Sequence, residues 1–344
     1  MLGTINPEIL FLQEEDEVKA GLLDMKQILE ITEKTYALLG KGEIQNPPKT
    51  HLGIPEGSGE NFDSFFNTMP CHIAGDMNIA GVKWAAESNA NATTPGIPYG
   101  IDITILSDPA TVLPFCILDG TVITAMRTSA VAGFQAKHCA PSDTKTVTMI
   151  GAGVIGRTMI MAICEAIPTV ETIYLCDLDV AKAEALAAEY KDQYNVEIIA
   201  SADSKACADK SELIIGETTA RKPFIDASWV KPHSAIVCVS NEANEEVVKA
   251  AYVNVVDYWK QMNTFENKAI VKMVEAGELA EEDIVETSEL ALGKQVRTSD
   301  DQFIYACSLG LGALDITVGY QIYKNAMDMG LGTTVKMWDK PLWE

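Results

Sequence analysis

The spacing of apolar positions changes along the chain, and the changes divide it into regions. Residues 16–40 place Val18, Leu22, Met25, Ile28, Leu29, Ile31 and Leu38 at helical spacing, which predicts a helix. Residues 45–59 are rich in Pro and Gly and predict a loop. From 68 to 126 the apolar runs are short and β-like, as in 80–84, 100–106 and 122–126. Residues 128–139 predict a helix leading into a different region. There, strand-like runs at 145–150, 172–176, 196–199, 212–216, 234–240 and 253–257 alternate with helical stretches. Alternation of this kind predicts a parallel sheet with helices on both faces. Residues 309–325 are again helical, opened by Gly310 and Gly312. The expected class is α/β, with a doubly wound parallel sheet in the middle of the chain and a second, split α+β domain built from both ends. The boundaries drawn are 1–128 and 309–344 for the two parts of the split domain, and 129–308 for the domain between them.

The first strand of the middle region carries a motif. Gly151-Ala152-Gly153-Val154-Ile155-Gly156 follows the run Val147–Ile150 and precedes the helical run Arg157–Ala166. A second strand-like run, Thr172–Cys176, then ends on Asp177. Strand, glycines, helix and terminal acid together are the fingerprint of a Rossmann-type dinucleotide-binding unit. Gly151 permits the tight turn, Gly153 lets backbone approach a pyrophosphate, and Gly156 lets the helix pack on the strand. The helix N-terminus, with Val154 and Ile155 in its first turn, offers unpaired N–H groups and a positive dipole end to phosphates. Asp177 stands about 20 residues past the glycines, where a carboxylate accepts ribose hydroxyls and repels a 2′-phosphate. No Arg follows in Leu178–Ala181, so NAD is expected rather than NADP.

Bulk properties narrow the field. The chain has 344 residues, a net charge of −23 and 47 % hydrophobic residues. The negative charge argues against nucleic acid or an anionic membrane surface as a partner. The eight cysteines are scattered, with no C-x-x-C, which fits a reduced cytoplasmic setting. No basic-then-apolar leader opens the chain, and no apolar run approaches the roughly 18 residues of a membrane span.

Cations stand out in so acidic a chain. Lys83 lies inside the apolar run Val82–Trp84, and Arg127 closes the run 122–126. Groups of this kind facing a nucleotide cleft suit a substrate carboxylate, and a buried lysine can also serve as a base. The alternative is a lysine that snorkels from an edge strand and an arginine that pairs with a structural carboxylate. Glu242 follows the run 234–240 at its carboxyl end, where doubly wound sheets bind ligands, and is either a proton carrier or part of a solvated loop. Thr218 and Thr219 occupy the corresponding end of 212–216 and suit contact with a nicotinamide half. His51, His72, His138 and His233 are isolated, and nothing spaces like a catalytic triad or a metal cage.

Taken together, certain segments resemble the ornithine cyclodeaminase/μ-crystallin family over nearly the whole chain. They are Pro47-Pro48-Lys49-Thr50, Gly81-Val82-Lys83 with Asn91 and Gly96, Met126–Ala130, the glycine motif, Arg297 near Ser299–Asp301, and Ser308–Ile316. The resemblance implies a homodimer, with the split domain carrying both substrate and dimer interface. It implies that Lys83 and Arg127 bind the carboxylate end of a substrate, with Lys49 standing where an Arg is usual. Two positions depart from the pattern: Glu242 in Ser240–Asn244 replaces an Asp, and Tyr99 replaces a small Thr. The implied chemistry is hydride transfer between NAD and the Cα of a small amino or imino acid, with Lys83 or Glu242 moving protons. The first expectation is cyclodeamination of ornithine to proline and ammonia. The alternatives are a net amino-acid or opine-type dehydrogenase or ketimine reductase, and a non-catalytic nucleotide-binding protein.

Overall fold

The computed structural model describes residues 7–55, 62–220 and 222–343. The chain divides into two compact units. One, the split unit, comprises Met1–Asp24, Lys41–Thr124 and Leu311–Glu344; the other, the middle unit, comprises Met25–Gly40 and Ala125–Gly310. The result is mixed α/β, with one largely antiparallel sheet and one wholly parallel sheet.

The split unit is built on strands β1 (Glu8–Leu12), β2 (Ile44–Gln45), β3 (Thr50–Pro55), β4 (Phe62–Ile73), β5 (Ile79–Ser88), β6 (Gly100–Ser107) and β7 (Pro114–Asp119). A C-terminal strand, Thr333–Lys336, joins them antiparallel to β1. The order is C-terminal strand, β1, β7, β6, β5, β4, β2, and β3 also pairs with the long β4. One face of this sheet carries the helix Gly312–Met329. Gly312 permits this approach, because a Cβ there would stand 2.6 Å from the Met69 carbonyl oxygen. Gly81 does the same on β5, where a Cβ would meet Ile316 Cδ1 at 2.5 Å. The opposite face is apolar and open: Leu52, Ile54, Trp84, Ile101 and Ile103 are all more than two-fifths exposed. Phe66 stacks on Trp84 there, with ring centroids 5.2 Å apart.

The middle unit contains β8 (Thr146–Ile150), β9 (Thr172–Cys176), β10 (Glu197–Ser201), β11 (Leu213–Gly216), β12 (Ser234–Cys238), β13 (Val253–Val256), β14 (Ile284–Glu286) and β15 (Phe303–Cys307). They lie in the order β10-β9-β8-β11-β12-β15-β13-β14, every pair parallel. The order reverses between β8 and β11, the switch point at which ligands bind in such sheets. The residues of β11, β12 and β15 are all buried, as expected of parallel strands covered on both faces.

Several expectations need correction. Residues 122–126 are not a strand but the start of one long helix, Thr121–Cys139, opened by the Asp119 side chain accepting from Thr121 N. Ile123, Ala125, Met126, Ala130, Val131, Ala132 and Phe134 are all buried. A helix buried around its circumference is continuously apolar, which imitates a core strand. The single helix 16–40 is two, Glu14–Lys19 and Met25–Gly40, separated by Gly21 at φ +96°. The second of these belongs with the middle unit, although it was expected in the split domain. Its buried Tyr36 stacks on Phe134, ring centroids 6.4 Å apart. The loop expected at 45–59 contains Gln45 of β2 and all of β3, the latter drawn into strand geometry by pairing with β4; residues 56–61 lie outside the described ones. The C-terminal helix runs Gly312–Met329 rather than 309–325. Neither β14 nor β15 was anticipated in the middle unit.

Candidate functional site

In the split unit the chemistry gathers around Lys83. Strand β5 alternates, so Lys83 points to the face covered by the helix Gly312–Met329 and is 1 % exposed. Its Nζ lies 3.0 Å from Asp102 Oδ2 on β6 and 3.2 Å from Asp315 Oδ1 on that helix. It also donates to Thr124 Oγ1 at 2.6 Å. Asp102 is held in turn by Ala86 N, 3.2 Å from its Oδ1, and by Thr124 Oγ1 on its Oδ2. Lys83 therefore does not snorkel; β5 is interior to the sheet, flanked by β4 and β6. Two carboxylates bracket one ammonium, and none of the three is open to water. Glu87, missed in the sequence, lies on the same face of β5. Burial pushes its carboxyl up, Asp102 adds to this, and Lys83, Lys49 and a hydrogen bond from Tyr99 oppose it. The structure thus brings Lys49 and Tyr99 close to Glu87 and the Lys83 cluster.

In the middle unit the three glycines answer three separate steric demands. Gly151 has φ +124°, and a Cβ there would lie 2.6 Å from the Glu217 carbonyl oxygen. A Cβ on Gly156 would stand 2.2 Å from the Gly151 oxygen, so the helix Val154–Ala166 can start so close to β8 only with glycine at that position. Around Gly153 the space is open, as a ligand needs. Val154 is exposed and Ile155 half-buried beside it. Asp177 follows β9 directly, and its Oδ2 accepts from Ala152 N at 2.8 Å, tying the acid to the turn. These positions fit a dinucleotide: an open glycine, unpaired helix amides and an acid at the end of the second strand.

Glu242 is wholly buried rather than part of a solvated loop. Its Oε1 accepts from Thr218 N at 2.8 Å and Thr218 Oγ1 at 3.2 Å, and its Oε2 from Ser240 N at 3.0 Å. It rests on Gly216, where a Cβ would meet its Cγ at 2.8 Å. The acid ties together the loops that follow β11 and β12. These three bonds from protein donors hold the carboxylate in place. Lys268, also missed in the sequence, donates to Ser240 O and braces the same loop. Thr218 is engaged by Glu242, while Thr219 is exposed. Beside them stands Glu217, whose carboxyl oxygens are buried and accept no hydrogen bond from the described residues. Burial, and then the charge of Glu242, push that carboxyl well above its usual range.

Arg127 is buried within the helix Thr121–Cys139. Gly310, at φ +76°, lies against it: a Cβ on Gly310 would be 2.3 Å from Arg127 Nη1. The Gly310 turn is held from below by Asp257, whose Oδ2 accepts from Leu309 N and Gly310 N, each at 2.7 Å. Gln261 Nε2 donates to the Gly310 oxygen at 2.5 Å. Of the histidines, His51 bonds Asn67, His233 bridges Asp143 and the Asp300 carbonyl, and His138 packs on Phe134. Among the described residues no group of three or more His, Cys, Asp or Glu is arranged for a metal, and no helix is long and apolar enough to cross a membrane.

Known proteins resemble this chain along its whole length. It is 28 % identical over 338 residues to N-((2S)-2-amino-2-carboxyethyl)-L-glutamate dehydrogenase of Staphylococcus aureus, covering 97 % of this chain and 100 % of that protein. It is 27 % identical over 337 residues to alanine dehydrogenase of Archaeoglobus fulgidus, covering 95 % and 98 %. Its fold matches Δ1-pyrroline-2-carboxylate reductase of Thermococcus litoralis, solved in complex with NADH and L-proline, with a TM-score of 0.86 and 29 % identity over 95 % of this chain and 100 % of that one. The ornithine cyclodeaminase/mu-crystallin family model matches residues 11–330, and the chain belongs to the ornithine cyclodeaminase/mu-crystallin family.

Proposed function

We propose that this chain is an NAD-dependent enzyme that acts at the Cα–N bond of a small amino or imino acid by hydride transfer, interconverting amine and imine. The observation that carries the reading is the glycine turn closed by Asp177, in a chain that matches nicotinamide-dependent amino-acid dehydrogenases and an imino-acid reductase from end to end. NAD, when bound, would take a hydride from Cα or return one at its nicotinamide ring. The protein's own groups do the rest. Gly153 and the helix amides hold the pyrophosphate, and Asp177 takes the adenosine ribose hydroxyls. Arg127, kept in place by the Gly310 turn, grips the substrate carboxylate as a planar fork. Lys83, fixed by Asp102 and Asp315, is the cation beside the reacting nitrogen, and Lys49 adds charge for the carboxylate.

Two net reactions follow from these parts. In a dehydrogenase the hydride leaves with the cofactor, and in an imine reductase it arrives with the cofactor and stays on the substrate carbon. In an ornithine cyclodeaminase the α-imine is attacked by the δ-amine, ammonia is lost, and the hydride returns to give proline. The whole-length relatives named above favour the first. The two part in a single assay with candidate amino acids and NAD. NADH accumulating at its absorbance band marks a dehydrogenase, whereas proline and ammonia without NADH mark a cyclodeaminase. NAD binding with no response to any amino or keto acid would favour a non-catalytic protein, against which the intact Lys83 cluster argues. The open apolar face of the split unit's sheet is assigned to a second copy of the chain, giving a homodimer. A monomer by sedimentation at micromolar concentration would refute that.

A further inference from the structure

The site already described leaves one buried acid unused. Glu217 follows β11 directly, and its backbone continues the strand alongside β8, with Glu217 N donating to Ile150 O at 3.0 Å. Its side chain runs beneath the glycine turn. Its Cγ lies 3.2 Å from where a Gly151 Cβ would be, and its Oε1 lies 3.4 Å from where a Gly156 Cβ would be. The residue as a whole is half-buried, yet both carboxyl oxygens are shut from solvent and accept no hydrogen bond from the described residues.

Among the described residues, the charged groups around it are few. Glu242, on the loop after β12, is an acid that accepts from Thr218 and Ser240. Asp177, after β9, is bound to the Ala152 amide of the same turn. Arg157, on the helix that the turn opens, is ion-paired with Glu189 at the surface. Of these only Glu242 acts on Glu217, and it acts to disfavour a charge. Buried without a donor among the described residues and beside a second acid, the Glu217 carboxyl is held in its neutral form.

A neutral acid at this point has a consequence for anion binding. The N-terminus of the helix Val154–Ala166 attracts phosphate through its amides and its positive dipole end. A negative charge beside Gly156 would cancel that attraction in a poorly solvated place. We propose that Glu217 is a member of the dinucleotide site, a carboxylic acid kept neutral beneath the glycine turn, whose ionisation expels the pyrophosphate. This rests on the dinucleotide reading and adds a proton to it: the dinucleotide and a proton on Glu217 bind together, and each favours the other by linkage.

The test is fluorescence titration of NADH onto the full chain across pH, with wild type, Glu217→Gln and Glu217→Met. Wild type should bind at neutral pH and lose at least tenfold in affinity as the pH is raised to the alkaline end of the range over which circular dichroism shows the chain folded. Gln and Met have a similar reach and carry no charge, so both should bind as wild type does at neutral pH and hold that affinity within about twofold across the range. The Met variant guards against a Gln amide that finds no partner. Circular dichroism checks that both variants fold, and either folded variant suffices. A pH profile shared by wild type and a folded variant would overturn the assignment to Glu217 alone. Absence of saturable NADH binding by wild type at neutral pH would overturn the dinucleotide reading, and the Glu217 assignment with it.

Discussion

The two units handle buried charge in different ways. In the split unit, side chain balances side chain: Lys83 is held by Asp102 and Asp315 on separate elements. In the middle unit, backbone amides take most of that role. Asp257 accepts from Tyr258, Leu309 and Gly310, and Glu242 from Thr218 and Ser240, while the half-buried Asp177 accepts from Ala152 and Asp179. The second solution needs only a loop of the right shape, whereas the first needs three residues that cannot change one at a time. The split unit should therefore be brittle to single substitutions at its charged centre. The middle unit should tolerate loss of a carboxylate better than loss of a glycine that shapes a loop.

Lys83→Met breaks the comparison most severely. It leaves two carboxylates buried without their cation, and stability should fall by about 3–5 kcal/mol in denaturant unfolding. A loss below about 1 kcal/mol would show that the cluster relaxes or admits water.

Glu17 tests the same unit in the opposite direction. It is fully buried in the helix Glu14–Lys19. Burial first, and then the charge of Asp119, raise its carboxyl from 4.5 to about 9, while the Asp119 amide offsets this only in part. The folded chain thus keeps a proton that the unfolded chain has lost, and stability falls as pH rises from 4.5 to about 9. Glu17→Gln should abolish that slope. It should stabilise the fold by up to about 3 kcal/mol at pH 7 and by almost nothing at about pH 4. Equal gains at both pH values would mean the benefit comes from packing.

Gly310→Ala probes the amide-built side. The added methyl must displace Arg127, and a misplaced carboxylate anchor should lower kcat/KM on the order of 100-fold while NADH affinity stays within about twofold. Unchanged kinetics would show that Arg127 does not hold substrate. The smallest expected effect is at Asp177. Asp177→Ser removes the charge that opposes a 2′-phosphate, and the NAD-to-NADP preference should narrow by about tenfold in paired titrations. If wild type already binds both cofactors equally, Asp177 has no such role.

Much of the middle unit was legible because its signals are local. The run to Ile150, the glycines, the helix and Asp177 all fall within one βαβ unit, where spacing alone fixes who meets whom. Lys83 was legible as an oddity, a cation in an apolar strand, but its situation was not. Asp102 comes from the next strand, whereas Asp315 comes from a helix near the far end of the chain, and no periodicity links them. The run 122–126 misled because a fully buried helix and a core strand share a continuous apolar pattern. Glu242 was visible as an acid at a strand end, but its burial depends on Gly216 leaving room for it. Glu217 offered only one signal: a carboxylate placed directly after a wholly apolar strand.

The pairing of β1 with the strand Thr333–Lys336 bears on how the protein is made. Glu8 lies opposite Lys336, so the earliest strand of the split unit waits for the latest. A ribosome releases everything the middle unit needs, Met25–Gly40 and Ala125–Gly310, before Leu311 appears. During that interval Lys83 has Asp102 available but not Asp315. The middle unit can therefore mature first during synthesis, and the split unit closes only when the helix Gly312–Met329 delivers its aspartate. A chain truncated after residue 310 and released should then protect the β8–β15 sheet from protease while leaving β4 and β5 open to cleavage.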